Sequence, residues 1–447
     1  MKKAGACGQL SARRAAGADH RRSRAAPGPA GGGRGSAPAG PAARAGHPSV
    51  PRSPPVPTHP LLKPALRRGW RDLDTVQFGV AEAHAVVLGP VGSATAAFLT
   101  LLDGTRGREL LRHEARRIGL PEGRADAFIE RLAAAGLLDT STGGGPGSEE
   151  SRRRGPAMER LRADHATLSV IERRPGGALR RLAARRACRV QVRGAGRTGA
   201  MIAALLAGAG VGRVDVLDGG RVEPWEVAPG GHPPEAVGER RADSARRVAR
   251  RAAPGRPPRP RRRSASEVAE PEAEELGPEP PLALVIGAPR DGLAVHAPDP
   301  AAWADLVMAG VPHLYAGVVE GTAVVGPLVL PGLTACAGCA ERGRAVRDPA
   351  WPRLLAQWRS GTPRQVPPCD LTLAATVAGL ATAHALALLD GAVPASAGTR
   401  WEASLPYLEW RSRVSRPHPD CPCGAAPAHT GTAHPSEDSP AHDTMTA

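Results

Sequence analysis

Aromatic side chains are scarce in this 447-residue chain, where Phe, Tyr and Trp together make 3%. Ala, Arg, Gly and Pro abound instead, a bias of GC-rich coding that excludes no mechanism. No apolar stretch follows Lys2 and Lys3, and the pairs Arg13-Arg14 and Arg21-Arg22 lead into Ala/Gly/Pro sequence, so no export signal is visible and a cytoplasmic protein is expected. The longest weakly polar run, "LTLAATVAGLATAHALALL" from Leu371 to Leu389, has the length of a membrane span. It carries His384 and three Thr and is largely Ala, which reads as a buried helix with no membrane partner. Cysteine occurs at seven positions, four of them in two tight pairs, and such pairs without an export signal point to metal rather than disulfides.

What is present suffices for two or three domains, since 41% of the residues are hydrophobic and can build real cores. The formal charge of +16 would suggest nucleic acid, but residues 1 to 60 hold ten Lys or Arg against one Asp, so more than half of the excess lies in one tract. That Gly/Pro/Ala/Arg tract cannot bury enough apolar surface to offset its ordering entropy. It is expected to be a disordered basic tail, with no specific nucleic-acid partner. Next, "DTVQFGV" alternates Val76, Phe78 and Val80, "AHAVVLG" reads as its hairpin partner, and "SATAAFLTLLDG", "RELLRHEARRIGL" and "RADAFIERLAAAGLL" read as helices, the last with Phe128, Ile129 and Leu132 on one stripe. Residues 62–139 thus make a small α+β, winged-helix-like module, followed by a linker at 140–156. From Cys188 the order strand, Gly-rich turn, helix, strand is the βαβ signature of a doubly wound sheet, so 157–424 is read as one nucleotide-binding α/β domain, with a disordered tail over 425–447. Between Gly255 and Pro280, basic and acidic blocks mark a solvated surface insertion.

Gly194, Gly196 and Gly199 form GxGxxG directly after the strand "CRVQVR". The first glycine makes the tight turn, the second admits a phosphate to the backbone, the third lets helix and strand approach, and the helix N-terminus offers free N–H groups to an anion. Asp218 ends the next strand 19 residues after Gly199, where an acid can bind ribose hydroxyls. Cys336-Ala-Gly-Cys339 and Cys421-Pro-Cys423 are each spaced to bite one metal. Four thiolates with no open position describe a structural zinc site, with His418 beside it. Cys369, at the head of the Ala-rich helix, is a candidate nucleophile because a helix N-terminus lowers a thiol's pKa. A buried or capping cysteine is the plainer reading, and Asp370 can cap that helix.

The stretch "AGVGRVDVLDGGRVEP" resembles the "aGvGr...lvDxDxVe" segment of the ThiF/MoeB/HesA family, bacterial relatives of ubiquitin-activating enzymes. "VGERRADSAR", "LTACAGC" and the Ala-rich helix resemble further segments of it, in order, from about Cys188 to Gly424. The resemblance implies a Rossmann-like ThiF-type domain that binds ATP with magnesium and adenylates the C-terminal carboxylate of a small carrier protein or precursor peptide, with zinc at the two cysteine pairs. It places Gly194, Gly196, Gly199 and Asp218 at nucleotide positions and Arg241 where the family has a phosphate-facing lysine. Other positions depart from the pattern. Arg197 stands for a loop glycine, Gly220 for a second acid, Glu226 and Pro229 for an Asn and an Arg, and Asp291 is only a nearby substitute for a magnesium-holding Asp. Adenylation needs cations on the transferring phosphate and a held metal, so two functions stay open. One is a ThiF-like adenylyltransferase. The other is a degenerate scaffold that binds the leader peptide of a ribosomal peptide natural product for a partner cyclodehydratase, with "DTVQFGV" presenting a sheet edge. A homodimer is left open. A nicotinamide-dependent oxidoreductase fits less well, because no separate catalytic domain is evident.

Overall fold

The computed structural model describes residues 55–140, 155–255, 280–361 and 366–426. The expected basic tail, linker, charged insertion and C-terminal tail fall almost wholly outside these residues.

The chain begins with β1 (Pro60–Leu62), β2 (Arg68–Trp70), β3 (Val76–Phe78) and β4 (Val86–Leu88), continues through α1 (Ser93–Thr100), α2 (Arg108–Arg117) and α3 (Arg124–Ala134), and returns in β5 (Leu138–Thr140) beside β1. Val76 and Phe78 are buried as the alternation predicts, but Val80 is exposed, because the strand stops at Phe78 and Gly79 turns the chain at φ +87°. β3 and β4 form the expected antiparallel pair. β2 pairs on the other side, so β3 is the central strand of three, and "DTVQFGV" cannot offer a free edge. The free edges are β2 and β4. A common core of Phe98, Leu99, Leu111, Phe128, Ile129 and Leu132 joins the helices, with the two Phe rings 6.5 Å apart. Each of these buried side chains contributes about 2 kcal/mol of transfer free energy.

Hydrogen bonds tie these elements to residues 172–176. Lys63 Nζ donates to the Glu172 carbonyl (2.6 Å), Gly176 N–H donates to Asp139 Oδ1 (2.6 Å), and Arg173 Nη2 donates to the Ala134 carbonyl (3.0 Å). Lys63 and Asp139 are both buried, so their partners are not interchangeable with water. The helices α4 (Gly155–Arg160), α5 (Arg162–Ile171) and α6 (Gly177–Ala187) bracket this tie, since residues 172–176 connect the last two. Arg185 of α6 carries the connection further into the chain through a two-pronged pair with buried Asp390, at 2.8 and 2.6 Å.

The large sheet is built from β6 (Arg189–Arg193), β7 (Arg213–Leu217), β8 (Leu282–Gly287), β9 (His313–Val319), β10 (Thr322–Val329), β11 (Thr399–Ser404) and β12 (Arg411–Val414), in spatial order 12-11-10-9-8-6-7. Only β7, β6, β8 and β9 are parallel. The other three add on in antiparallel fashion, so the doubly wound expectation holds for one half of a mixed sheet. The connecting helices are α7 (Arg197–Gly208), α8 (Arg241–Ala252), α9 (Gly292–His296), α10 (Pro300–Met308), α11 (Ala337–Arg347), α12 (Trp351–Ser360) and α13 (Leu371–Leu389). One sheet face buries Val190, Val192, Leu284, Ile286 and Leu314 against α7, α8 and α13. The other packs Tyr315, Val324 and Val329 against Val295 of α9, Trp303 of α10 and the cysteine knuckle. α13 is long and apolar enough to cross a membrane by composition, yet Leu373, Ala374, Val377, Ala378, Ala381 and Ala385 are all buried in this core.

Candidate nucleotide cleft and cysteine knuckle

From β6 the chain runs to β7 on one side and then crosses to β8 on the other, so the strand order reverses between β6 and β8. Ligands of open α/β sheets bind in the crevice at such a reversal, beyond the carboxyl ends of the strands. A cavity of about 220 Å³ lies there, lined by Gly196, Arg197 and Thr198 after β6, Trp225 and Glu226 after β7, and Arg290 after β8, with Cys369 closing it.

The glycine loop has the built-in geometry its sequence predicts. Gly194 sits at φ +99°, and a Cβ there would fall 2.2 Å from the Ala288 carbonyl; one on Gly199 would fall 2.0 Å from the Gly194 carbonyl. Neither position admits a side chain. Fully buried His232 fixes the loop from behind. Its Nε2–H donates to the Ala195 carbonyl (2.6 Å), which leaves Nδ1 to accept from the Ser244 hydroxyl (2.8 Å), and burial holds its pKa below the ordinary histidine value. Nothing in the sequence singles out His232 or Ser244.

Asp218 is engaged on both oxygens. Oδ2 accepts from Ala195 N–H (2.8 Å), while Oδ1 accepts from Gly220 N–H (2.8 Å) and Arg241 Nε (2.9 Å). Burial alone would raise this carboxyl, but the backbone donors and the guanidinium outweigh it and hold its pKa below the usual range. Arg241, expected to face a phosphate, points inward. It is buried, donates to the Arg221 carbonyl (2.6 Å) and pairs with Glu226 Oε2 at 3.4 Å. Gly220 makes room for it, since a Cβ there would lie 2.0 Å from Arg241 Nη2. Gly220 and the inward course of Arg241 are therefore sterically coupled. Glu226 is 3% exposed and also accepts from Glu223 N–H (2.9 Å). Its Oε1 lies 2.8 Å from Arg290 Nε, with the N–H too far off line for a hydrogen bond, so charge alone holds the contact. Arg197 spans the cavity mouth by donating to the carbonyls of Cys369 (2.9 Å) and Trp225.

Asp291 is not among the residues that line the cavity. It caps α9, accepting from Leu293 N–H at 3.0 Å. Cys369 does reach the cavity, but burial pushes its thiol pKa up, against smaller opposing effects of Thr198 and Arg197, which is the reverse of an activated nucleophile. Asp370 caps α13 as expected, accepting from Thr372 and Leu373 N–H at 2.8 and 3.2 Å. An ATP phosphate would meet Gly196 where Arg290 Cγ and Glu226 Oε1 now stand, 2.9 and 3.5 Å from the position of an added Cβ. The residues as arranged therefore do not fit ATP with magnesium until those two side chains move.

The four cysteines do come together. All four sulfurs lie within 4.8 Å of one another, with separations of 3.9 Å for Cys336 to Cys339, 3.6 Å for Cys336 to Cys421 and 3.4 Å for Cys339 to Cys423. A tetrahedral thiolate site with metal–sulfur bonds of about 2.3 Å has edges of about 3.8 Å, so this cluster can hold one metal ion. Cys336 stands just before the first residue of α11, and the missing Cβ at Gly338 leaves space for the sulfurs of Cys421 and Cys336 at 3.3 and 3.6 Å. Arg342 Nη1 points at Cys421 Sγ from 3.8 Å, which sets a positive group beside the cluster. His418 is beside the cluster rather than in it, its carbonyl accepting from Cys421 N–H and its ring from Asp420 N–H.

The fold and this pair of sites define a class: α/β proteins with a ligand crevice at a strand-order reversal, an antiparallel extension of the sheet, and a four-cysteine knuckle closing the C-terminal end. The profile of the ThiF family matches residues 176–423, more than half of the chain, and the chain belongs to the ThiF family. No curated protein sequence matches it. Among solved structures it is similar to E. coli MccB with ATP, with a TM-score of 0.58 and 15% identity, covering 81% of this chain and 99% of that one. The microcin C7 biosynthetic enzyme MccB in complex with N-formylated MccA gives 0.57 and 14% over 82% and 99%. PaaA gives 0.54 and 17% over 78% and 98%. At these identities the likeness is one of fold.

Proposed function

We propose that the chain is a peptide-binding member of the ThiF family in which adenylate formation is weak or lost. The observation that carries this reading is the mutual pairing of the charges at the nucleotide positions: Asp218 with Arg241, and Glu226 with Arg241 and Arg290. Adenylation requires such groups to be aimed at a phosphate and a metal. Here they are aimed at each other. The peptide would be held by the N-terminal part, which we read as a winged-helix-like module. Of the two edges of its three-stranded sheet, β2 is Arg68-Gly69-Trp70 with Trp70 47% exposed, while β4 reads Val86-Val87-Leu88 with Val87 48% exposed and carries no charge. An unpaired apolar edge is a template for another strand, and basic edges discourage one. Support also comes from the reach of the fold likeness, which covers more of the chain than residues 176–423 and includes MccB in complex with N-formylated MccA. The cysteine metal is proposed to be structural zinc.

The test is titration of labelled precursor peptides encoded beside this chain against the wild type and Val87→Lys. We expect micromolar or tighter binding, on the order of the affinities of transient interfaces, and at least a tenfold loss in the variant. Binding unaffected by the substitution refutes the β4 site.

The second reading, a working adenylyltransferase for a carrier protein or peptide, is favoured by the intact backbone geometry of the glycine loop and by retained Asp218. ATP–pyrophosphate exchange with candidate carriers and peptides decides between the two. Robust exchange that Asp218→Ala abolishes establishes the enzyme.

A further inference from the structure

We infer that Glu226 is a built-in competitor for the anion position of the glycine loop, its carboxylate standing where a phosphate of a bound nucleotide would otherwise rest. The inference depends on the family placement of the loop and not on peptide capture by β4.

Three independent features place the carboxylate there. The first is position: Glu226 Oε1 stands over Gly196, the loop residue whose missing Cβ admits a phosphate, at 3.5 Å from where that Cβ would be. The second is charge. Two guanidinium groups converge on this one carboxylate, Arg290 on Oε1 at 2.8 Å and Arg241 on Oε2 at 3.4 Å, as they would on a phosphate oxygen pair. The third is the state of the atom itself. Glu226 is 3% exposed and its Oε1 accepts no hydrogen bond, so the carboxylate is kept out of water against a loop edge built to receive an anion. The local chain explains why it stays. Glu226 closes a turn with Glu223, accepting that residue's N–H, and the turn is the segment that brings the side chain from the end of β7 across to the end of β8.

An incoming pyrophosphate group must displace a carboxylate held by two arginines, and its own charge is repelled until it does. Removing that carboxylate takes the negative charge away from Gly196 and leaves the Arg290 guanidinium without its acidic partner, while Arg241 stays on Asp218. A substitution inside the cleft should therefore create affinity rather than destroy it.

The experiment is calorimetric titration of the full chain with inorganic pyrophosphate, and separately with ATP and magnesium, for the wild type, Glu226→Ala and Glu226→Gln. Pyrophosphate reports the anion position alone. The glutamine retains volume and an acceptor for Glu223 N–H while losing the charge, so it keeps the test valid if the alanine variant fails to fold, which thermal melts will show. We expect both ligands to bind at least tenfold more tightly to a folded Glu226 variant than to the wild type, and the gain to vanish in Glu226→Gln combined with Arg290→Ala. Equal or weaker binding of pyrophosphate by a folded Glu226→Gln chain overturns the inference. Peptide titrations on the same samples separate the outcomes, because failure of the β4 reading leaves the pyrophosphate result unchanged.

Discussion

Gly219 and Gly220 stand side by side after β7, and their surroundings differ sharply. A Cβ on Gly219 meets nothing within 4 Å, whereas one on Gly220 would lie 2.0 Å from Arg241 Nη2. Gly220→Ala should therefore force the buried Arg241 off Asp218, with a loss of about 3 kcal/mol, the usual cost of breaking a buried ion pair. Gly219→Ala should stay within about 0.5 kcal/mol of the wild type. Urea unfolding followed by circular dichroism checks both, and equal effects would refute the account of Gly220. At this scale the sequence is legible where one residue type has one use. The three loop glycines, Asp218 and the four cysteines can all be named from it. Arg290, His232 and the inward turn of Arg241 cannot, because their roles arise from contacts between segments that come after different strands, which no spacing records.

Among the elements, α11 and the C-terminal knuckle depend on one another through the cysteines. Cys336 and Cys339 lie at the start of α11 and Cys421 and Cys423 in the knuckle, and the proposed metal would join the two pairs. The protein should carry one metal ion per chain by elemental analysis, and Cys336→Ser should lower that content and the thermal midpoint together. Full metal content in the variant would show that the cluster is not the site. Strand and helix placement agrees closely with periodicity. Alternation marks β6, an apolar run ending at Gly287 marks β8, and the Ala-rich run marks α13 with its Asp370 cap. The order of strands is not legible in the same way, because alternation tells which face of a strand is buried and not which neighbours flank it. That is why "DTVQFGV" reads as an edge in the sequence, and why "VPHLYAGVVEGTAVVGPLVL" and "RWEASLPYLEW" read as strands without announcing that β10, β11 and β12 pair in antiparallel fashion as nearly half of the sheet.

For the whole molecule, buried histidines set the response to acid. His232 and His313 are buried and His296 is half-buried; burial, and for His296 also the nearby guanidinium groups of Arg400 and Arg344, holds them below the ordinary value of 6.5, the last down to about 3. As pH falls through about 6.5 the unfolded chain takes up protons that the folded chain refuses. Their contribution to stability is thus complete above that pH and is lost progressively below it. Denaturant titrations at pH 7.5 and pH 5 should give a lower unfolding free energy at pH 5, and a flat profile would contradict the placement of these rings. The knuckle has a further consequence for the chain as a curve in space. Cys336 and Cys421 are 85 residues apart in sequence and 3.6 Å apart at sulfur, so a metal held there ties the intervening chain into a closed ring containing α11, α12, α13, β11 and β12. A single backbone cut within that ring opens it without producing two separable pieces. The last part of the molecule would then stay in place by its strand pairings and its sulfurs, whichever peptide bond had been broken.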